Sequence, residues 1–255
     1  MRLTVLGSGT SVPHAKRAST AHWLETARGS VLLDASAPVV HRMAEEGLDW
    51  VGLDAIWISH FHLDHVGGLA PLLFGTKHAP QTRERRKALT IFGPRGLEKL
   101  FKEFDDANNY RLTEQPFPVE FREVAPREQF EILENVRAET FSTPHTAESL
   151  ALKVRDETGA TLAYTSDTGY TEELASFASG VGLFLMECSF PDNKPVETHL
   201  ELRDAMRLAE LSGARRVMLG HLYPEWDDRD VAAEAKRLWP GETIEATDGL
   251  RLKIS

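Results

Sequence analysis

Seven consecutive residues constrain this chain more than any others: Ser59-His60-Phe61-His62-Leu63-Asp64-His65. They follow the apolar run Ala55-Ile56-Trp57-Ile58 and precede Val66-Gly67-Gly68-Leu69. A strand that ends at this point hands over to a turn, and the turn presents its side chains from the strand's C-terminal edge. His60 and His62 are two apart, so an extended backbone points them the same way. Asp64 and His65 fall where the chain begins to curl, so they can face a neighbouring point. Three imidazoles and a carboxylate in so short a span form a ligand set suited to zinc, and also usable by manganese or iron. A solitary histidine is usually structural, but four such residues at this spacing after a buried strand are not.

One motif cannot complete two metal shells, so further ligands must come from other strand ends. His145 follows Phe141-Ser142-Thr143-Pro144, Asp167 follows Leu162-Ala163-Tyr164-Thr165-Ser166, and His221 follows Val217-Met218-Leu219-Gly220. Each is the first strong ligand beyond an expected strand, where loops held by a rigid sheet gather catalytic groups. The single cysteine, Cys188, ends the strand-like run Phe184-Leu185-Met186-Glu187 and reads as a structural thiol. One cysteine excludes a disulfide framework and a Cys-rich zinc finger, which fits a reducing, cytoplasmic setting.

Strand-like runs recur at Leu3 to Leu6, Val31 to Leu33, Ala55 to Ser59, Leu89 to Phe92, Leu183 to Glu187 and Arg216 to Leu219. Many are continuously apolar, as expected of strands buried on both faces. Helical periodicity is expected over Pro38 to Glu46, Gly96 to Phe104 and Leu202 to Leu211. The stretch from Phe117 to Thr165 is richer in strands, with a hairpin turn at Glu157-Thr158-Gly159-Ala160. Two sheets packed face to face with helices outside satisfy this pattern, as one domain over residues 1–255. The opening run from Leu3 to Leu6 is too short for a signal segment and reads as a first strand. No apolar run is long enough to span a bilayer, so no membrane association is expected.

The 255 residues are 42% apolar and carry a formal net charge of −10. A chain this acidic repels nucleic acid at long range unless basic residues are concentrated locally. They are concentrated at Lys77, Arg83, Arg85, Arg86 and Lys87. The plain interpretation is a solvated face. The segment from Phe74 to Lys87 could instead serve as a phosphate-contacting lid or a homodimer contact.

The ordered series His-x-His-x-Asp-His, Pro144-His145, Ser166-Asp167-Thr168 and Gly220-His221 resembles the motif set of the metallo-β-lactamase superfamily, and the match runs across nearly the whole chain. The resemblance implies a four-layer αββα sandwich with a dinuclear site at one edge. It implies that His60, His62 and His145 hold one divalent ion, that Asp64, His65 and His221 hold the other, and that Asp167 bridges them. Zinc is the expected metal. Asp34, after Val31-Leu32-Leu33, is similar to the superfamily's strand-end aspartate and would orient the ligand loop. A helix N-cap is its alternative role.

Within the superfamily the chain looks most like the ribonuclease Z and phosphodiesterase branch. Leu6-Gly7-Ser8-Gly9-Thr10-Ser11 resembles that branch's opening turn, which needs glycine if φ is positive. Phe92-Gly93-Pro94-Arg95-Gly96 resembles its Gly-Pro segment. His199, in Glu197-Thr198-His199-Leu200, stands where the branch carries a further histidine; a solvent-facing histidine at a helix start is the alternative. The resemblance makes His199 a catalytic residue that binds the scissile phosphate or protonates the leaving oxygen. Asp64 is counted as catalytic with it.

Two divalent ions opposed by Asp64, Asp167 and one hydroxide leave a net positive charge, which favours an anionic substrate. A metal pair roughly 3.5–4 Å apart suits phosphodiester hydrolysis. The sequence departs from tRNA-processing ribonuclease Z in two respects. The span from His145 to Asp167 is too short for a tRNA-gripping arm, and Tyr164 stands where an acidic residue is expected. The expected activity is therefore a metal-dependent phosphodiesterase acting on a small anionic diester, such as a cyclic nucleotide. The alternatives are tRNA 3′ processing, a glyoxalase II-like thioesterase, lactonase or β-lactamase-like hydrolase, and a metal-bearing binding or sensor protein.

Overall fold

The computed structural model describes residues 1–255. Its first sheet contains β1 (Arg2–Gly7), β2 (Ala21–Thr26), β3 (Gly29–Leu33), β4 (Ala55–Trp57), β5 (Leu89–Pro94), β6 (Val119–Val124) and β14 (Arg251–Lys253), in the order β14-β1-β2-β3-β4-β5-β6. Its second contains β7 (Gln129–Leu133), β8 (Val136–Ser142), β9 (Leu150–Arg155), β10 (Thr161–Tyr164), β11 (Leu183–Glu187), β12 (Arg216–Gly220) and β13 (Glu242–Glu245), in the order β13-β12-β11-β10-β9-β8-β7. Strands β3 to β6 pair in parallel, and so do β10 to β13.

Alternation along each strand assigns the layers. In β3, Val31 and Leu33 point into a core shared by both sheets, while Leu32 points outward. In β11, Leu183 and Leu185 point inward, while Phe184 and Met186 point outward. Both faces are covered, which is why these runs read as continuously apolar. Helices α1 (Val39–Glu45), α3 (Leu69–His78) and α4 (Leu97–Asp106) cover the first sheet through Val39, Met43, Leu69, Leu73, Leu97 and Phe101. Helices α5 (Glu172–Phe177), α6 (Leu202–Ser212) and α7 (Val231–Leu238) cover the second through Leu174, Leu202, Ala205 and Val231. The short α2 (Leu63–Val66) lies within the histidine motif. The result is the four-layer αββα sandwich that the resemblance implies. No helix is long and apolar enough to cross a membrane.

Three sequence expectations need correction. Gly7 and Gly9 do not have positive φ. They are required by close approach instead, since a Cβ on Gly7 would lie 1.9 Å from the Ser19 carbonyl oxygen. Asp34 is not a helix N-cap: the N-cap position of α1 is Pro38, with no side-chain cap, and the Asp34 carboxylate is turned inward to Ser59. The stretch beginning at Phe74 is not a separate lid at its start but the last half of α3. Beyond it, Arg85 donates to the carbonyls of Val51, Leu53, Lys87 and Ala88 and lies 4.2 Å over the Phe117 ring. Lys77 is held by the Tyr110 and Arg111 carbonyls, and Lys87 pairs with Asp54. Most of this cationic segment is committed to holding its own fold.

Candidate metal centre

The topology gathers the ligand-type residues at one edge. Parallel pairing of β3 with β4 and of β10 with β11 and β12 sends their C-terminal ends the same way, and β8 runs with β10 because both are antiparallel to β9. Asp34 leaves β3, His60 to His65 leave β4, His145 follows β8, Asp167 follows β10 and His221 follows β12. Asp34, Ser166 and His221 turn out of their strands at φ of 59°, 52° and 54°. Left-handed backbone at non-glycine residues costs free energy and persists only where the surroundings impose it. Gly68 shows how tight the corner is: its N–H donates to the Ala35 carbonyl at 2.7 Å, and a Cβ would sit 2.0 Å from the Ser36 oxygen.

The side chains form two groups around one carboxylate. The ligand atoms of His60, His62, His145 and Asp167 lie within 4.8 Å of one another, and so do those of Asp64, His65 and His221. Asp167 presents a different oxygen to each group. Its Oδ2 is 3.5 Å from His145 Nε2 and 3.8 Å from His60 Nε2. Its Oδ1 is 3.2 Å from His65 Nε2 and 3.3 Å from His221 Nε2. Asp64 Oδ2 completes the second group at 3.5 Å from His221 Nε2 and 3.7 Å from His65 Nε2.

Four of the rings, those of His60, His65, His145 and His221, are held by a hydrogen bond at Nδ1 that turns Nε2 toward the centre. Ser59 Oγ donates to Asp34 Oδ2 at 2.9 Å and accepts from His60 Nδ1 at 3.0 Å. His65 Nδ1 donates to Asp34 at 2.8 Å, and His145 Nδ1 donates to the Thr198 carbonyl at 3.0 Å. Ser189 Oγ donates to Glu187 Oε2 at 2.6 Å and accepts from His221 Nδ1 at 3.0 Å. A ring that donates from one nitrogen offers a lone pair at the other.

The residues fit metal ions. His60 Nε2, His65 Nε2, His221 Nε2 and Asp167 Oδ1 are buried and have no hydrogen-bond partner. Each such atom costs roughly 1–3 kcal/mol when left unsatisfied. His145 Nε2 and His62 Nδ1 stand 3.0 Å apart, a separation that requires a proton or a cation between them. The electrostatics agree for the two carboxylates and for His60; at His65 burial is outweighed by Asp167 and Asp34, which raise its pKa, so a cation there would take the place of a proton. Burial opposes ionisation of Asp167, but His221, His65 and His60 outweigh it and hold that carboxyl well below its usual range. Burial likewise opposes ionisation of Asp64, but the His221 hydrogen bond and His65 bring it down to about 2. Burial among neighbouring imidazoles takes His60 down to about 2, so it stays neutral. Neutral imidazoles and ionised carboxylates are the forms that bind divalent ions.

His199 is buried beside this centre rather than facing solvent, with its ring 4.9 Å from that of His145 and stacked 5.4 Å from that of His221. Its Nδ1 donates to Glu187 Oε1 at 2.8 Å. Burial lowers the His199 pKa, but Glu187 more than compensates and raises it. It also forms a third potential ligand group with Asp167 and His221. Cys188 is buried and belongs to none of the groups.

Sequence reasoning missed Glu187, Ser189, Ser59 and the inward role of Tyr164. Glu187 is 2% exposed and collects hydrogen bonds from Thr168 N, Leu200 N, Ser189 Oγ and His199. Its signal was available: like Asp34, it is a carboxylate at the end of an otherwise apolar strand.

A family profile described as "Anti-Pycsar protein Apyc1" matches residues 1–239. The probable metallo-hydrolase YhfI of Bacillus subtilis (strain 168) is 26% identical over 98% of each chain. The crystal structure of YhfI aligns over 98% of each chain with a TM-score of 0.85. Human tRNase Z, short form, aligns over 100% of both chains with a TM-score of 0.81 at 19% identity. A diphosphatase of the PhnP family aligns over 100% of this chain and 98% of its own, with a TM-score of 0.75 at 21% identity.

Proposed function

From the premise that this chain belongs to the Apyc1 family of anti-Pycsar proteins, within the metallo-β-lactamase superfamily, we propose that it is a metal-dependent phosphodiesterase for a small anionic diester. The observation that carries this reading is the Asp167 carboxylate, with one oxygen turned to each histidine group. His60, His62 and His145 would hold one divalent ion; Asp64, His65 and His221 would hold the other, with Asp167 between. A zinc pair, or manganese or iron in its place, would supply Lewis acidity toward the phosphoryl oxygens and make water a nucleophile at neutral pH.

The chain's own groups do the rest. Glu187 fixes His199 by taking its Nδ1–H, so Nε2 is the nitrogen free to meet substrate. Glu187 raises the His199 pKa against the effect of burial, which favours the acid form that would bind the scissile phosphate and pass a proton to the leaving oxygen. The preference for a compact diester rests on charge and on topology. The formal charge of −10 works against a polyanion. The span between His145 and Asp167 is taken up by β9 and β10 within the sheet.

The test is turnover of bis(4-nitrophenyl) phosphate and a panel of cyclic nucleotides by zinc-, manganese- and iron-loaded protein, with His62→Ala as control. Turnover far above the control, abolished by a chelator, is expected. Hydrolysis of an ester, thioester or lactone without any diester would overturn the proposal. Cleavage of precursor tRNA in preference to small diesters would replace it with the RNA-processing alternative.

A further inference from the structure

Asp34 Oδ2 receives three short hydrogen bonds. Ser59 Oγ lies at 2.9 Å, His65 Nδ1 at 2.8 Å and the Tyr164 hydroxyl at 2.6 Å. The first two donors come from the same sheet edge as Asp34. Tyr164 comes from β10, across the sandwich, and is the closest of the three. Ser166, two residues beyond β10, lies at the outer limit of 3.5 Å and is spent mainly on Ser59 at 2.6 Å. Tyr164 is 3% exposed, and its ring meets the edge of the His22 ring at 5.5 Å. Nothing in the proposed chemistry uses this phenol. It does not touch a ligand directly.

We infer that Tyr164 is a positioning residue, a strut between the two sheets that fixes the Asp34 carboxylate so that His65 turns its Nε2 toward Asp167 and Asp64. The inference rests on the metal site proposed above. The physical argument is geometric. Asp34 sits at the strained φ of 59°, and its carboxylate can rotate about χ2 unless both oxygens are pinned. Ser59 N–H pins Oδ1 at 2.8 Å. On Oδ2, Ser59 Oγ and His65 belong to the loop that Asp34 is supposed to orient, so they cannot supply an independent reference. Tyr164 supplies one, because β10 also leads directly into the loop that carries Asp167. The strut therefore couples the ligand from the second sheet to those from the first. Burial keeps the phenol in its protonated, donating form.

The experiment compares wild type, Tyr164→Phe and Leu185→Val. Leu185 is the β11 neighbour of Tyr164 and 1% exposed, so its substitution loosens the same core without touching Asp34. Three readouts are taken: competition of zinc-loaded protein with a chromophoric chelator, the visible bands of the cobalt(II)-substituted protein, and the melting temperature of the apoprotein. Tyr164→Phe is expected to weaken zinc binding about tenfold and to shift the cobalt bands, with an apo melting temperature no lower than that of Leu185→Val. Leu185→Val is expected to lower the melting temperature while leaving affinity and spectrum as in wild type. Should Tyr164→Phe fail to fold, Tyr164→Leu, which also lacks the hydroxyl, replaces it with the same expected results on affinity and spectrum. The inference is overturned if Tyr164→Phe binds zinc like wild type with unchanged cobalt bands. It is also overturned if its affinity loss is matched by Leu185→Val. A wild type that binds no zinc overturns the proposed metal site as well, which separates the two failures.

Discussion

Two corners of the site use the same device with different results. At the end of β3, Asp34 works through Ser59 onto His60 and directly onto His65. At the end of β11, Glu187 works through Ser189 onto His221 and directly onto His199. Each is a buried carboxylate, a serine hydroxyl and two imidazoles. The Asp34 corner is wholly enclosed, and both of its histidines face the Asp167 carboxylate. The Glu187 corner steadies one histidine of the proposed metal groups and holds a second, His199, that lies outside the two main groups. On the proposed function the difference divides the tasks: the Asp34 corner would serve metal retention, and the Glu187 corner would divide itself between retention and proton transfer.

The sharpest way to break this comparison is Asp34→Ala. The change strands the Ser59 N–H, the Tyr164 hydroxyl and the His65 Nδ1–H inside the protein. Removing one partner of a buried charged network costs about 3–5 kcal/mol. Loss of the group that orients two ligands should also weaken metal binding roughly 10–100-fold. Urea unfolding and elemental analysis check both. A stable Asp34→Ala protein with full metal content would show that the corner is not the metal-retaining one.

Glu187→Gln and His199→Ala form the second test, with a smaller expected effect on the fold. His199→Ala should keep its metal, while Glu187→Gln, which also loosens His221 through Ser189, should bind it somewhat more weakly; at saturating metal both should lose roughly 10²-fold or more in kcat toward diesters with alkoxide leaving groups. Loss should be much less with 4-nitrophenolate, which needs no proton to leave. The acid form of His199 is the useful one, and Glu187 raises its pKa. The wild-type rate on alkoxide diesters should therefore fall as pH rises through that pKa, and in Glu187→Gln the fall should come at lower pH. Equal losses on both leaving groups would mean that this corner also serves mainly to hold metal.

The two corners were not equally legible in the sequence. His60, His62, Asp64, His65, His145, Asp167 and His221 could be picked out because they are ligand-type residues in turns beyond apolar runs, a local signal that the fold merely carries to one edge; Asp34, and the division of the ligands between two ions, came through the resemblance to the superfamily. Glu187 carried the same signal, but in a strand where Cys188 drew the attention. Ser59 and Ser189 carry none, since a serine's part in a relay depends on what lies across the fold. Tyr164 departed from the pattern of the branch, yet its partner stands 130 positions away. The strands missed were β2, β7, β13 and β14: β7, β13 and β14 lie at sheet edges, where one side is unpaired, whereas β2 is internal and mostly buried but mixes His22 and Glu25 into its apolar run.

The smallest effect is expected away from both corners, in the basic segment. Arg85 and Arg86 are adjacent in sequence and unlike in structure. Arg85 satisfies four carbonyls and packs over Phe117, whereas Arg86 is exposed, bonds to the carbonyls of Arg83 and Arg85 and has an exposed ion pair with Glu84 at 3.7 Å. Arg85→Ala should cost about 2 kcal/mol of stability, chiefly from the stranded carbonyls, and leave kcat/KM of the folded protein within about twofold. Arg86→Ala should change neither. Charge reversal at Arg83 and Arg86 together is the stricter form, because a phosphate-contacting lid would respond with a higher KM that falls back at high salt. A rise in KM of more than about tenfold would place a third element at the site, and substrate capture could no longer be assigned to the two carboxylate corners and the ions between them.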